Sequence, residues 1–564
     1  MRADILSLVT RSQFTTLLDA RSLRTAEDDQ DAIIYVQTGR DPIRVSRRQF
    51  RISVYSYATA MVVLGIKPGD LVVIAHTQGL ESIYAFWGAL LAGAIPSMFP
   101  TLTEKLDPQI YMRNMAELVS ISAVRAVLTT DEFAPLLDQN VGCPVFGSAQ
   151  LAMAMSEDQQ EIQSTVPNPD QIAFLQHSSG TTGLQKGVAL SHRAVLNQLA
   201  SYGDAIKLCE QDVIVSWLPL YHDMGLIAGF LLPLIQGIPL VLMSPFDWVR
   251  HPALLLRAIH DHKGTLCWLP NFAYNHCARR IRRRDGQGFS LATMRLFVNC
   301  SEPVRQDSHQ LFLQRFADND LQSKMLSVSY AMAENTFAVT QTPLGIPARV
   351  DIVDRQSLEV KGMATPVDPG HQRAVSKVSC GPPINGTKIR VVNDNGVECD
   401  NRNVGEIAIK SNCMLSEYYN RPDLQPFQDG WFLTGDRGYI AEGEIYIVGR
   451  SKDLIINAGK NVYPQDIEAI VNDLPGIHAG RAVVFGVPDS KEGTELIAVI
   501  AEVNSEDSAE RQQIGKRIRQ EVGRQSMVTV SYVHLVDSRW LIKTSSGKIA
   551  RAANREKWLA QRQR

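Results

Sequence analysis

Short apolar runs alternate along this chain with longer segments of helical character. Leu71-Val72-Val73-Ile74-Ala75 follows the turn Lys67-Pro68-Gly69-Asp70 and predicts a buried strand. The segment from Ser82 to Ala92 predicts a helix closed by Gly93, and a second short run follows in Ala94-Ile95-Pro96-Ser97-Met98. Strand, helix and strand at these lengths imply a parallel sheet covered by helices, because parallel neighbours need a crossover long enough to hold a helix. The pattern recurs with a strand at Val213-Ile214-Val215, a helix at 252–261 and a strand at 264–269. Ile172-Ala173-Phe174-Leu175 and Val188-Ala189-Leu190 predict strands on either side of a Gly/Ser/Thr-rich stretch, with a helix starting near Ser191. Leu226 to Met243 is almost wholly apolar but is interrupted by Gly229, Pro233, Gln236, Gly237 and Pro239. It just reaches spanning length, so a buried helix, a glycine turn and a buried strand are expected in place of a membrane span.

Near residue 440 the texture changes. Glu444-Ile445-Tyr446-Ile447-Val448 predicts a strand, and Gly449-Arg450-Ser451-Lys452-Asp453 is polar and turn-like. Beyond it a compact α+β tail is expected, with a helix at Pro464–Leu474, strands at 482–487 and 496–503 and a helix at 509–522. A chain of 564 residues is too long for one ordinary core. The expected architecture is α/β: a large N-terminal domain of several subdomains with helix-covered sheets over 1–448, and a small mobile α+β domain over 449–564. The hinge is expected near 449–453.

Composition changes this picture little. Apolar content of 45% and charged content of 21% are those of a soluble globular chain. A formal net charge of −2 gives no argument for nucleic acid or an anionic membrane as partner. The eight cysteines are scattered, without a CxxC pair or metal-site spacing, and are expected to be reduced. Met1-Arg2-Ala3-Asp4-Ile5 lacks the basic-then-apolar opening of an export signal, so a cytoplasmic protein is expected.

Candidate chemistry centres on His177-Ser178-Ser179-Gly180-Thr181-Thr182-Gly183-Leu184-Gln185-Lys186-Gly187. Glycines let backbone approach a bulky anion, hydroxyls and amides donate to it, and Lys186 adds charge, which together describe a polyphosphate cradle. It is not a Walker loop, because Gly187 follows Lys186 where that loop has Ser or Thr. A Gly/Ser/Thr run by itself is more often an ordinary loop, so the companions matter. They are Trp217-Leu218-Pro219-Leu220-Tyr221-His222-Asp223-Met224-Gly225, Asn299-Cys300-Ser301-Glu302-Pro303, Tyr330-Ala331-Met332-Ala333-Glu334, Thr434-Gly435-Asp436, Gly449-Arg450-Ser451-Lys452-Asp453 and Lys543-Thr544-Ser545-Ser546-Gly547-Lys548-Ile549.

In this order the motifs resemble those of the acyl-adenylate-forming enzymes, the group of acyl-CoA synthetases, peptide-synthetase adenylation domains and firefly luciferase. The resemblance runs from about 70 to 550 and implies ATP and Mg²⁺ as cofactors. It implies that Ser178, Ser179, Gly180, Thr181, Thr182, Gly183 and Lys186 cradle the phosphates, with Gln185 where proline is usual. His222 would line the pocket where the acid meets ATP. Ser301 and Glu302 would lie against adenine, although Cys300 and Ser301 stand where Gly or Ala is usual. Tyr330 would stack on the base, with Ala331 in place of glycine, and Glu334 would help hold Mg²⁺. Asp436 and Arg450 would grip the ribose, Lys452 would mark the hinge, and Lys548 would be the catalytic lysine brought in by the small domain.

Trp217 to Leu226 and Pro270-Asn271-Phe272-Ala273-Tyr274 look more specifically like fatty-acyl-AMP ligases, and the apolar run after Tyr221 suits a hydrophobic acid. Forty-six residues separate Glu334 from Gly381, about 20 more than a compact connection needs. In fatty-acyl-AMP ligases an insertion here packs on the large domain and disfavours the pose that accepts coenzyme A. That leaves an acyl carrier protein as acceptor of the fatty acyl group; a surface elaboration is the alternative meaning of the extra length. From Arg511 to Arg564 thirteen Lys/Arg face three acids, a basic face suited to an acidic carrier protein or to coenzyme A. The expected function is formation of acyl-AMP followed by transfer to a carrier-protein thiol. The alternatives are a fatty acyl-CoA synthetase and a non-catalytic nucleotide-binding homologue.

Overall fold

The structure, a computed structural model, describes residues 14–24, 28–102, 108–157, 167–177, 186–458, 460–489, 494–526, 528–544 and 547–562. Two seven-stranded sheets form the large body. In the first, Leu326–Val328, Leu296–Asn299, Leu266–Leu269, Ile214–Ser216, Leu240–Met243 and Asp31–Val36 run parallel, with Ile43–Ser46 antiparallel at the edge. In the second, Val145–Phe146, Ala126–Thr129, Leu71–Ala75, Ile95–Met98 and Ile172–His177 run parallel. Gly187–Ser191 and Glu417–Tyr418 then close this sheet antiparallel. The expected parallel strands are present, and the strand expected at 172–175 extends to His177.

One apolar core joins the two sheets. The helix Leu80–Leu91 is buried on nearly every side, as a helix apolar all round must be. Its Phe86 meets Phe174 of the second sheet at 5.6 Å and Phe230, which leads into the first sheet, at 5.5 Å. The apolar run 226–243 belongs to this core: a π-helical segment Met224–Leu231, a helix Leu232–Gln236 capped by left-handed Gly237, and the strand Leu240–Met243. Its apolarity is therefore accounted for by core burial, and it says nothing by itself about an acyl pocket. No helix of the described residues is long and apolar enough to cross a membrane.

An antiparallel sheet of Thr387–Val392, Gly405–Ser411, Trp431–Ala441, Phe427–Gln428 and Glu444–Arg450 follows. Its last strand runs through Gly449 and Arg450, so the polar turn begins only at Ser451, in a short 3-10 helix Ser451–Asp453. The chain beyond builds a sheet of its own from Ile477–Asp489, Thr494–Val503 and Val530–Val536. Helices Pro464–Asn472, Ser508–Ser526 and Arg551–Arg562 cover it, over apolar clusters separate from the main core.

The extra length before Gly381 is no loose loop. Val350–Asp354 pairs antiparallel with Ala374–Val378, and a π-turn at Ser357–Lys361 lies between them. Val353, Leu358 and Ala364 are buried with Tyr439, Ala441, Tyr446, Val448 and Tyr463, the last of which belongs to the C-terminal segment. Lys377 Nζ adds an ion pair to Asp466 at 3.4 Å. The insertion thus clasps the large body to the segment after the turn.

Glu359 lies in this clasp, and its carboxyl is pushed up to about 7, mainly by burial. Arg355, Lys377 and Lys460 oppose the rise and Asp466 adds to it. A carboxyl whose pKa is higher folded than unfolded binds a proton on folding. Its stabilisation is complete below the unfolded value and is lost as pH rises through about 7. Between pH 6 and 8 the wild type should lose about 1.4 kcal/mol that Glu359→Gln does not lose. Urea melts of both proteins across that range check the difference.

Candidate active site

Because strands of the first sheet run parallel, the segments that follow them leave at one edge. Ser216 leads into Trp217–Asp223, Leu269 into Pro270 and Asn271, Asn299 into Cys300 and Ser301, and Val328 into Tyr330. Ligands of open α/β sheets bind in the crevice outside these carboxyl ends. Four motifs scattered through more than a hundred positions therefore meet at one edge.

The sharpest cluster is around Asp436. Its two oxygens accept from the Tyr330 hydroxyl at 2.6 Å and from Arg450 Nε at 3.1 Å. Asp436 and Arg450 face each other across the antiparallel pair Trp431–Ala441 and Glu444–Arg450, which fixes the geometry in backbone. Burial, followed by the charge of Asp436, pushes the Tyr330 phenol well above its ordinary value, so it stays a donor. Burial opposes the charge on Arg450, but Asp436, Tyr330 and Asp453 together outweigh it and raise the guanidinium further. An ionised carboxylate has about four acceptor positions, so two remain for a diol.

Lys548 reaches the strand end. Its Nζ donates to the Ser301 carbonyl at 2.9 Å, across 247 positions of chain. Ser301 adopts φ +67°, a left-handed conformation that glycine takes without cost and that a serine holds under strain. Beside it, His222 Nδ1 lies 2.6 Å from Asp223 Oδ1, and the Met224 amide donates to the same oxygen at 2.7 Å. Burial alone would raise the Asp223 pKa, but His222, Lys548 and the Met224 amide outweigh it and hold the carboxyl below its ordinary value. Gly225 is required here, since a Cβ would stand 2.2 Å from the Pro219 carbonyl oxygen. Glu302, expected at the base, turns its carboxylate to the Phe272 amide at 2.9 Å and caps the helix Asn271–Arg280.

A third group lies around Glu334. The Tyr418 hydroxyl donates to Glu334 Oε1 at 3.1 Å, and Lys186 Nζ lies 4.7 Å from the Tyr418 ring centre. Burial is the largest cause of a raised Glu334 pKa, and Lys186 opposes it. Ser178, Ser179, Gly180, Thr181, Thr182 and Gly183 lie outside the described residues. Their flanks do not: His177 and Gly187 are paired neighbours on adjacent strands. Ala331 bridges to Ala338 next to Tyr330.

At the turn, Lys452 is exposed, while Asp453 Oδ2 accepts from Arg551 Nη1 at 2.5 Å. The other Arg551 guanidinium nitrogens hold Glu468 at 2.8 and 3.0 Å and the Val484 carbonyl at 2.9 Å. Arg551 thereby ties the first residues after the turn to the segment that carries Lys548. Gly449 allows the pose: a Cβ there would meet the Tyr463 ring at 2.5 Å. Sequence reasoning missed Asp223, Tyr418 and Arg551. Asp223 was legible as the neighbour of His222, whereas Tyr418, 84 positions from Glu334, gave no local signal. Among the described residues no three His, Cys, Asp or Glu side chains gather as a metal cluster.

Residues 22–419 match the family described as AMP-binding enzyme. Over 582 aligned residues the chain is 30% identical to the medium-chain-fatty-acid–[acyl-carrier-protein] ligase JamA of Moorena producens, covering 98% of this chain and 96% of that one. It is 31% identical to the long-chain-fatty-acid–AMP ligase FadD26 of Mycobacterium marinum over 87% of both chains. A structure from a study of fatty acyl-adenylate ligases of E. coli and L. pneumophila superposes with a TM-score of 0.87 at 29% identity, over 97% of each chain.

Proposed function

The chain belongs to the AMP-binding enzyme family, and from that premise we propose that it activates a fatty acid with ATP to the acyl-adenylate, releasing pyrophosphate. The acyl group then passes to the phosphopantetheine thiol of an acyl carrier protein. The observation that carries this reading is the position of Lys548, whose ammonium donates to Ser301 at the strand end and acts on Asp223 beside His222. The identity of the acid rests on the relatives, two of which are named for fatty acids.

In this reading Asp436 accepts both ribose hydroxyls with Arg450 and Tyr330 as its supports. Lys186 and the glycine-rich segment take the β- and γ-phosphates. The attacking carboxylate and the α-phosphate are both anions. At about 4 Å they repel by roughly 4 kcal/mol at an effective dielectric of 20. Lys548 offsets that repulsion where the two meet, and His222, oriented by Asp223, lines the same place. After adenylation the C-terminal segment turns about Lys452 and withdraws the lysine, opening the crevice to the thiol.

The donor set fits Mg²⁺. One hard carboxylate, Glu334, suits an ion that keeps its waters and takes its remaining ligands from phosphate oxygens. Bound there, the ion would neutralise phosphate charge. Glu334→Gln should therefore raise the Mg²⁺ concentration needed for half-maximal pyrophosphate release by about tenfold or more. A magnesium titration at saturating ATP measures it.

The acceptor is tested by offering one preparation coenzyme A and a phosphopantetheinylated carrier protein side by side. Faster transfer to the carrier supports the proposal. Efficient acyl-CoA formation with no carrier transfer would make the protein an acyl-CoA synthetase instead.

A further inference from the structure

The helix Asn271–Arg280 begins beside the lysine subsite, where the Phe272 amide meets Glu302, and runs outward. Eight residues on, about 12 Å along the axis, the chain turns a corner built of Arg279, Arg280, Arg282, Arg283 and Arg284, all exposed. Between Pro270 and Ser290 the only acid is Asp285. Arg284 lies 3.6 Å from Asp285, and Arg279 lies 4.0 Å from Asp473 of the C-terminal segment. Among the described residues Arg280, Arg282 and Arg283 make no ion pair or side-chain hydrogen bond. Five guanidinium groups with two paired acids, Asp285 and Asp473, between them repel one another.

Their placement is specific. Phe272, His276, Arg279 and Arg280 follow one another at helical intervals of three or four and so share a face. Phe272 is 43% exposed, and Val249, 38% exposed, is joined to this face. The link is His276, which meets the Val249 carbonyl at 3.1 Å. The Arg279–Asp473 contact puts the cationic end at the seam between the large body and the C-terminal segment, where an acceptor thiol must enter.

The basic tail is in part committed within its own segment; Lys516, Arg517 and Arg519 of the helix Ser508–Ser526 stay exposed, but among the described residues no ion pair ties them to the seam as Arg279 is tied. Arg511 is held by the Ser505 carbonyl, Arg524 by Glu521, Arg551 by Asp453 and Glu468, and Arg555 by the Gly486 carbonyl. Lys557 and Arg562 lie over aromatic rings.

We propose that the arginine corner at 279–284 is the docking site of the acyl carrier protein, an inference that rests on the functional reading above. Carrier domains are acidic and hold their thiol on a phosphodiester-linked arm, and guanidinium groups pair with carboxylate and phosphate through two parallel hydrogen bonds. The arginines take the acidic surface and the phosphodiester, and the exposed helix face leads the arm back toward Ser301.

The test is the triple variant Arg280→Gln, Arg282→Gln, Arg283→Gln, which spares the two arginines that have ion pairs. Three rates are read on it: pyrophosphate release, acyl transfer to free pantetheine, and acyl transfer to a stand-alone acidic holo acyl carrier protein. The KM for the carrier should rise about tenfold or more and lose most of its salt dependence, while the other two rates stay at wild-type values. The triple Lys variant should restore most of the loss. An unchanged carrier KM, or an equal loss with pantetheine, would overturn the site. Failure of the wild type to use the carrier at all would instead remove the functional reading beneath it.

Discussion

Replacing Lys548 by alanine is expected to lower acyl-adenylate formation by about 10²- to 10³-fold while leaving ATP affinity nearly unchanged. The ammonium approaches a strand end from 247 positions away and meets a carbonyl there. On the proposed mechanism it acts there on charge that comes together only when carboxylate and α-phosphate are brought into contact. About 3 to 4 kcal/mol of relief at that moment gives the stated range. The same mechanism, as proposed, places nucleotide binding on groups elsewhere in the large body, so a fluorescent ATP analogue should bind wild type and variant alike. A parallel fall in affinity and rate would mean that Lys548 holds the ground state and does not favour the transition state.

Asp436→Ala is expected to raise the KM for ATP about 10²-fold and to abolish discrimination between ATP and its 2′,3′-dideoxy analogue. Two hydrogen bonds to a charged acceptor contribute about 3 kcal/mol together, which is about that factor. The same change leaves the buried Tyr330 hydroxyl and the Arg450 guanidinium without their shared partner. A lower melting temperature should accompany it, limited in size because Arg450 is 47% exposed and solvent screens it. The two effects separate in the analogue comparison. A merely unstable site would weaken ATP and the dideoxy compound equally, whereas loss of a diol acceptor removes the difference between them. Retained discrimination in the variant would refute the ribose role.

The alternation of strand and helix was readable in the large body because buried parallel strands are short, continuous apolar runs, as at Leu71–Ala75. Element ends were less readable. The strand Glu444–Arg450 carries two polar-looking residues past Val448 because pairing with Asp436 and Arg437 holds them in the ladder. No pattern in residues 346–372 announced a hairpin whose Leu358 and Val353 complete a cluster with Tyr439 and Tyr463. That burial also makes deletion of the segment a poor test of acceptor choice, since it would uncover the stacked rings of Tyr439 and Tyr446. Point changes such as Lys377→Ala, which cuts the tie to Asp466, probe it without opening the core.

For the candidate site, motifs of adjacent residues were legible, because residues such as Tyr330 and Glu334 bear their chemistry within a few positions. Contacts made by folding were not. Tyr418 reaches Glu334 only because Glu417–Tyr418 joins the edge of the second sheet beside Gly187–Ser191. Glu302 shows the converse. It lies within the motif expected at the base, yet its carboxylate caps a helix, a use that no spacing reveals.

The most direct test of the account is product analysis of the wild-type protein incubated with ATP, Mg²⁺ and straight-chain fatty acids from short to long. The account predicts a fatty acyl-adenylate by mass spectrometry, with pyrophosphate released in equal amount. Absence of both products with every acid in the series, from protein shown to bind ATP, would contradict it.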